Sequence, residues 1–116
     1  MKKRIKLISF ILFIVLCWSA CGFQKEVDQQ FGDQHFKTSI SLIELHKIRF
    51  REYPNSLTDL KFTGDWDKIA LGNVSYIRVE NGYELDVVRG LVGTPELAYP
   101  DEFWKGLGLV KSNMRP

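Results

Sequence analysis

The residues able to do chemistry in this 116-residue chain are few: two cysteines, two histidines and fourteen Asp/Glu. Cys21 directly follows the small residues Ser19 and Ala20 and precedes Gly22, whereas Cys17 lies inside an apolar run. His35 and His46 are eleven residues apart and project in nearly the same direction from a helix. They stand about 16 Å apart along its axis, too far to share a metal or a proton relay. Both fall at the edge of an apolar arc and read as boundary histidines beside a core. Glu44 and His46 are two apart and do not face each other. There is no Gly-rich phosphate loop, no His-Glu-x-x-His and no serine in a nucleophile-elbow setting. The aromatics Tyr53, Trp66, Tyr76, Tyr83, Tyr99, Phe103 and Trp104 could line a binding surface, but in so small a domain core filling is their expected use. The expectation is therefore no catalytic residue, no bound cofactor and no metal ligand, with Cys21 as the one residue whose setting suggests modification.

That setting begins at the N-terminus. Lys2, Lys3, Arg4 and Lys6 precede an uncharged stretch from Leu7 to Ala20. A basic region, an apolar core of roughly 7–15 residues and small residues at the end make the layout of a secretory signal. The basic end stays on the cytoplasmic side while the apolar part enters the membrane. The sequence Trp18-Ser19-Ala20-Cys21 resembles the lipobox of bacterial lipoproteins. In that family a diacylglyceryl group is joined to the cysteine thiol and the chain is cut just before it, which carries over here to Cys21 alone. Trp18 departs from the family pattern, which has Leu or another aliphatic residue there. Three other readings exist: an uncleaved anchor, for which the run falls short of about 20 apolar residues; a secretory signal without lipid; and a pilin leader cut at Gly22-Phe23. A pilin keeps an apolar helix after its cut, and here polar residues follow, Gln24 to Gln30.

Removal of residues 1–20 changes the charge. The whole chain is formally +2, but four of its sixteen Lys/Arg lie in this segment, leaving twelve against fourteen carboxylates. A remainder at −2 has no basic stripe and lacks the electrostatic footprint of a nucleic-acid binder. Cys17 would be lost as well, so neither a disulfide framework nor a cysteine metal cluster is available. About 96 residues suit one small domain that buries roughly 60–65% of its unfolded surface.

The elements that must hold these residues follow. Residues 21–30 read as a polar tether, in which the nine residues Gly22 to Gln30, if extended, span at most about 30 Å. A helix is expected from Asp28 or Asp33, either a competent N-cap, to Arg51, with Pro54 as its stop. Phe31, Phe36, Ile40, Leu42, Ile43 and Phe50 share its apolar arc, and Lys37, Ser41, Glu44 and Arg51 lie opposite. Lys47 would snorkel from the arc, and Leu45 and Ile48 lie outside it, ready to meet neighbours on a second side. Asn55 or Ser56 can cap a short turn that buries Leu57 and Leu60. A turn at Phe62–Asp65 and an irregular stretch from Trp66 to Asn73 come next. Val74–Glu80 and Tyr83–Arg89 flank Asn81-Gly82, the signature of a hairpin with a type I′ turn. That turn sets Arg78 opposite Leu85, Tyr76 opposite Val87 and Val74 opposite Arg89, with this face on the helix. A two-stranded hairpin is marginal alone, so Leu97–Pro100 with Phe103 and Trp104 should add a third strand or a covering loop. Gly90, Gly93, Gly106 and Gly108 make the tail irregular.

Tyr53-Pro54, Ser56-Leu57, Asp59-Leu60, Trp66-Asp67, Gly72-Asn73, Tyr76 and Gly82-Tyr83-Glu84-Leu85 occur in an order that resembles pilin-like proteins, and most of all the major pseudopilins of type II secretion. The likeness covers about Ile40 to Arg89. It implies an α+β fold in residues 31–116, one long amphipathic helix on a small antiparallel sheet. It does not imply filament assembly, because pseudopilins polymerise through an apolar helix that this chain would lose. The family's calcium site lies in C-terminal loops. Glu96, Asp101 and Glu102 stand in that region here without a matching ligand motif and read as solvated surface. The functional expectation is a lipoprotein held to a membrane through Cys21, acting without catalysis through an envelope protein partner and not on nucleic acid. The alternatives are a pilin-like accessory component of a secretion or pilus system, and a small-ligand binder or hydrolase with a deep polar pocket near Trp104 or Trp66.

Overall fold

A computed structural model of the chain describes residues 2–88 and 94–116, except for the side chains of residues 2 and 17–25. One helix, α1, runs from Lys2 to Phe50. At 1.5 Å per residue its 49 residues span about 74 Å, which equals the long dimension of the molecule. No proline precedes Pro54 to interrupt it. Arg51, at φ 65°, turns the chain out of the helix in the left-handed conformation that ends many helices. Its N–H donates to the Lys47 carbonyl at 2.8 Å, and the Lys47 ammonium donates to the Arg51 carbonyl at 3.0 Å. Two expectations are thereby corrected. The helix does not start at Asp28 or Asp33, and the backbone of residues 22–30 is helical and not an extended tether. Polar composition alone does not separate a linker from the solvated part of a helix that a neighbouring element nucleates. Asp28 is already buried, so packing against the domain begins before residue 31.

After α1 come a 3-10 turn at Leu57–Asp59, a second helix α2 (Asp65–Leu71), strands β1 (Val74–Val79) and β2 (Gly82–Val87), a 3-10 turn at Asp101–Trp104, and strand β3 (Leu109–Lys111). Ser56 precedes the first turn as expected, and the Asp59 carboxylate accepts the Ser56 N–H at 3.2 Å. Leu60 is buried and Leu57 half-buried. The stretch read as irregular after Trp66 is α2. Asp67 accepts the Gly64 N–H at 2.8 Å and closes its first turn, and Ala70 is its buried residue.

The sheet has the order β1-β2-β3. The first pair is antiparallel, with Val74 opposite Val87, Tyr76 opposite Leu85 and Arg78 opposite Tyr83. This is two residues away from the expected register. Arg89, Gly90 and Gly93 lie outside the described residues. An even shift keeps every side chain on its face, so Val74, Tyr83, Leu85 and Val87 still form the buried side. The cause lies in Gly82. None of Glu80, Asn81 and Gly82 takes a positive φ, so this is no type I′ turn. Gly82 instead opens β2, where a Cβ would collide with the Gly108 carbonyl. That same carbonyl accepts the Tyr83 N–H at 2.9 Å.

The third strand is β3, and it runs parallel to β2, Tyr83 facing Leu109. The sheet is therefore mixed and not antiparallel. Residues 97–104 take the other expected role, a covering loop. Phe36, Ile40, Ile43, Leu60, Val74, Tyr83, Leu85, Val87, Trp104, Leu109 and Met114 form one core between α1, the sheet and this loop. Phe36 sits under the loop, its ring 5.7 Å from Tyr99, 6.4 Å from Phe103 and 6.0 Å from Trp104. Gly32 lets the loop approach α1 closely, since a Cβ there would lie 2.6 Å from the Pro95 Cγ.

Candidate functional site

Cys21 occupies a backbone position inside α1, and its side chain lies outside the described residues. The apolar residues before it, from Ile5 to Leu16, face solvent on all sides of the helix. A helix apolar all round is matched to a protein core or a membrane and not to water. Among the described residues, no helix is long and apolar enough to cross a membrane.

The densest polar arrangement is centred on Glu44. The helical wheel sets this residue opposite the core, yet it is half-buried. Its Oε1 accepts the Tyr83 hydroxyl at 2.9 Å and the Gly108 N–H at 2.9 Å, and its Oε2 accepts the Tyr53 hydroxyl at 3.0 Å. Tyr53 packs 5.0 Å from Tyr83, and Tyr83 lies 5.7 Å from Tyr76. The Tyr76 hydroxyl donates to the Pro54 carbonyl at 2.5 Å. Burial first, then the hydrogen bond to and charge of Glu44, push the Tyr53 phenol up to about 12. Burial also holds Tyr76 at about 12 and drives Tyr83 further upward, Glu44 adding to the latter. Three donors thus converge on the Glu44 carboxylate, and the phenols around it, raised by burial, keep their protons. The arrangement is a clasp that ties α1 to the chain before β3. Gly108 belongs to it, because a Cβ there would strike the Tyr53 ring.

A second polar link joins Asp33 to the covering loop. Its Oδ1 accepts the Tyr99 hydroxyl at 2.7 Å, and its Oδ2 pairs with Lys37 at 3.0 Å. Burial and Asp33 together raise the Tyr99 phenol. The histidines stand at the margin of the core, as expected. His46 Nδ1 lies 2.9 Å from the Glu52 carbonyl, its ring 4.7 Å from Phe50. His35 sits beside Phe31 at 5.9 Å, and burial lowers its pKa. Glu96, Asp101 and Glu102 are exposed. Among the described residues, no three His, Cys, Asp or Glu side chains are placed to hold a metal.

Several expected core positions are on the surface. Phe31 is 53% exposed and Phe50 41%, and Ile48 points to solvent where a second-side neighbour was expected. Lys47 is exposed, its ammonium 5.4 Å from the Tyr53 ring. At this end of α1, Leu45, Phe50 and Phe62 line one small concavity with Arg49 and Lys61. Arg49 lies 5.2 Å over Phe62, which is 78% exposed, and Lys61 lies 5.2 Å over Phe50. Next to it is an open groove of roughly 370 Å³ between His46, Glu52, Tyr53, Asp59 and Lys61. Trp104 is buried with Arg115 over its ring, whereas Trp66 is 81% exposed. Neither indole lines these two concavities.

Compared with protein-family models, curated proteins and solved structures, the chain finds no match in any of the three.

Proposed function

We propose that this chain is a lipoprotein of a bacterial cell envelope, cut before Cys21, carrying an acyl lipid on that thiol, and acting without catalysis through contact with another envelope protein. The observation that carries the reading is the N-terminal order: four basic residues, the uncharged run Leu7–Ala20, then Ser19-Ala20-Cys21. The large apolar side chains between Ile5 and Leu16 are exposed, which fits a segment used for export and not for packing. The polar arrangements fit a structural and not a chemical role, because Glu44 and Asp33 are each occupied by donors from the fold itself. Exposed Phe50 and Phe62 beside Arg49 and Lys61 suit a protein-contact surface, where aromatics and Arg are enriched. Intact-mass analysis of chain extracted from membranes tests the anchor. In-cell crosslinking from position 62 tests the contact, and recovery of no envelope protein would count against it.

A second reading is a pilin-like accessory component of a secretion or pilus machine. One helix laid on a small sheet, and the Tyr53–Leu60 segment leading out of it, support this alternative. It requires retention of the apolar segment and co-purification with such a machine. A mature chain that still begins before residue 20 would favour it over the lipoprotein reading.

A further inference from the structure

We infer that α1 is a rigid stalk, fixing the distance and the orientation of the domain relative to its anchor. This rests on the proposed lipid at Cys21, but the geometry comes from the helix. The backbone is helical without a break from Lys2 to Phe50. Among the described side chains of α1, the first buried one is Asp28. One turn later, the Pro95 side chain leaves no room for a Cβ on Gly32, and Asp33 accepts the Tyr99 hydroxyl at 2.7 Å. About 10 Å of helix separates Cys21 from Asp28. Nothing in that interval is a proline. An extended tether of residues 21–30 would let the domain turn freely. A helix continuous with the core does not. The end of α1 bearing Phe50, with Phe62 and Lys61 beside it, is held about 44 Å along the axis from Cys21. The Gly32–Pro95 end stays next to the bilayer. A partner reached through the far end would be met at a set height above the membrane.

The test uses the chain as it is extracted from membranes after expression of the whole precursor, with bioorthogonal nitroxide side chains at positions 24 and 49, so that Cys21 is not altered. Pulsed dipolar spectroscopy should give one separation near about 38 Å. Its width should match that of a control pair at positions 35 and 49, which lies wholly in the packed part of α1. A 24–49 distribution wider than the 35–49 distribution by more than about 10 Å, as an extended segment would allow, overturns the stalk. Replacing Lys25 and Glu26 by Pro and Gly should produce that spread on purpose. Mass analysis of the same sample reports separately on the anchor. A chain without lipid would remove the anchor while the distance still decides the stalk.

Discussion

Replacing Glu44 by Ala strands the Tyr83 hydroxyl and the Gly108 N–H, both of which it binds at 2.9 Å. Each buried donor left without a partner costs about 1–3 kcal/mol. Glu44→Ala should therefore lower stability by about 3 kcal/mol in urea denaturation, and Glu44→Gln, which keeps one carbonyl acceptor, by less. A loss below about 0.5 kcal/mol would show that the clasp contributes nothing. The phenols give a pH dependence. Tyr53 and Tyr76 are raised to about 12, burial being the main cause in both. A phenol that holds its proton more tightly in the folded chain stabilises the fold fully below its ordinary value near 10. That contribution disappears as the pH climbs from about 10 to 12. Stability should fall across this window, and phenolate absorbance should lag behind that of free tyrosine. Flat stability with tyrosines titrating near 10 in the folded protein would contradict the arrangement.

At the scale of elements, the tail is what completes the sheet. The Asn113 side chain pairs with the Val87 backbone in both directions, accepting its N–H at 2.9 Å and donating to its carbonyl at 2.8 Å. A side-chain amide thus extends the short β3 ladder by one step. Asn113→Ala should cost about 1–2 kcal/mol and speed amide exchange at Val87 well before exchange rises in β1. Equal acceleration in both strands would mean that the link is not local. Phe36→Ala removes the ring on which the covering loop rests and should cost about 3–5 kcal/mol by thermal or chemical melting. How far these elements could be read in advance depended on where their causes lie. Phe36, Ile40 and Ile43 follow helical spacing, and Val74, Tyr76, Tyr83, Leu85 and Val87 alternate, so both buried faces were legible. The register was not, because Gly82 is required by the approach of Gly108 and not by the turn. Nor was β3, a three-residue strand with no period of its own. A helical wheel sets Glu44 toward solvent because it carries no information about a donor 64 residues downstream.

The whole molecule joins a compact α+β domain to a helix that reaches well beyond it, 74 Å in the longest dimension and 18 Å in the shortest. Exposed apolar side chains along residues 5–16 would be a poor feature in water. In the proposed reading, export followed by removal of residues 1–20 would resolve that conflict and would change the net charge from +2 to −2. In that proposal attachment falls to Cys21, the one cysteine in residues 21–116. A single acyl chain binds membranes only weakly. The diacylglyceryl group implied by the lipobox resemblance supplies two. The most direct measurement is the intact mass of the chain extracted from membranes. The account predicts a species beginning at Cys21 with the mass of a diacylglyceryl group added to that residue. A species beginning at Gly22 or later without lipid, or one that retains Lys2–Ala20, would contradict it.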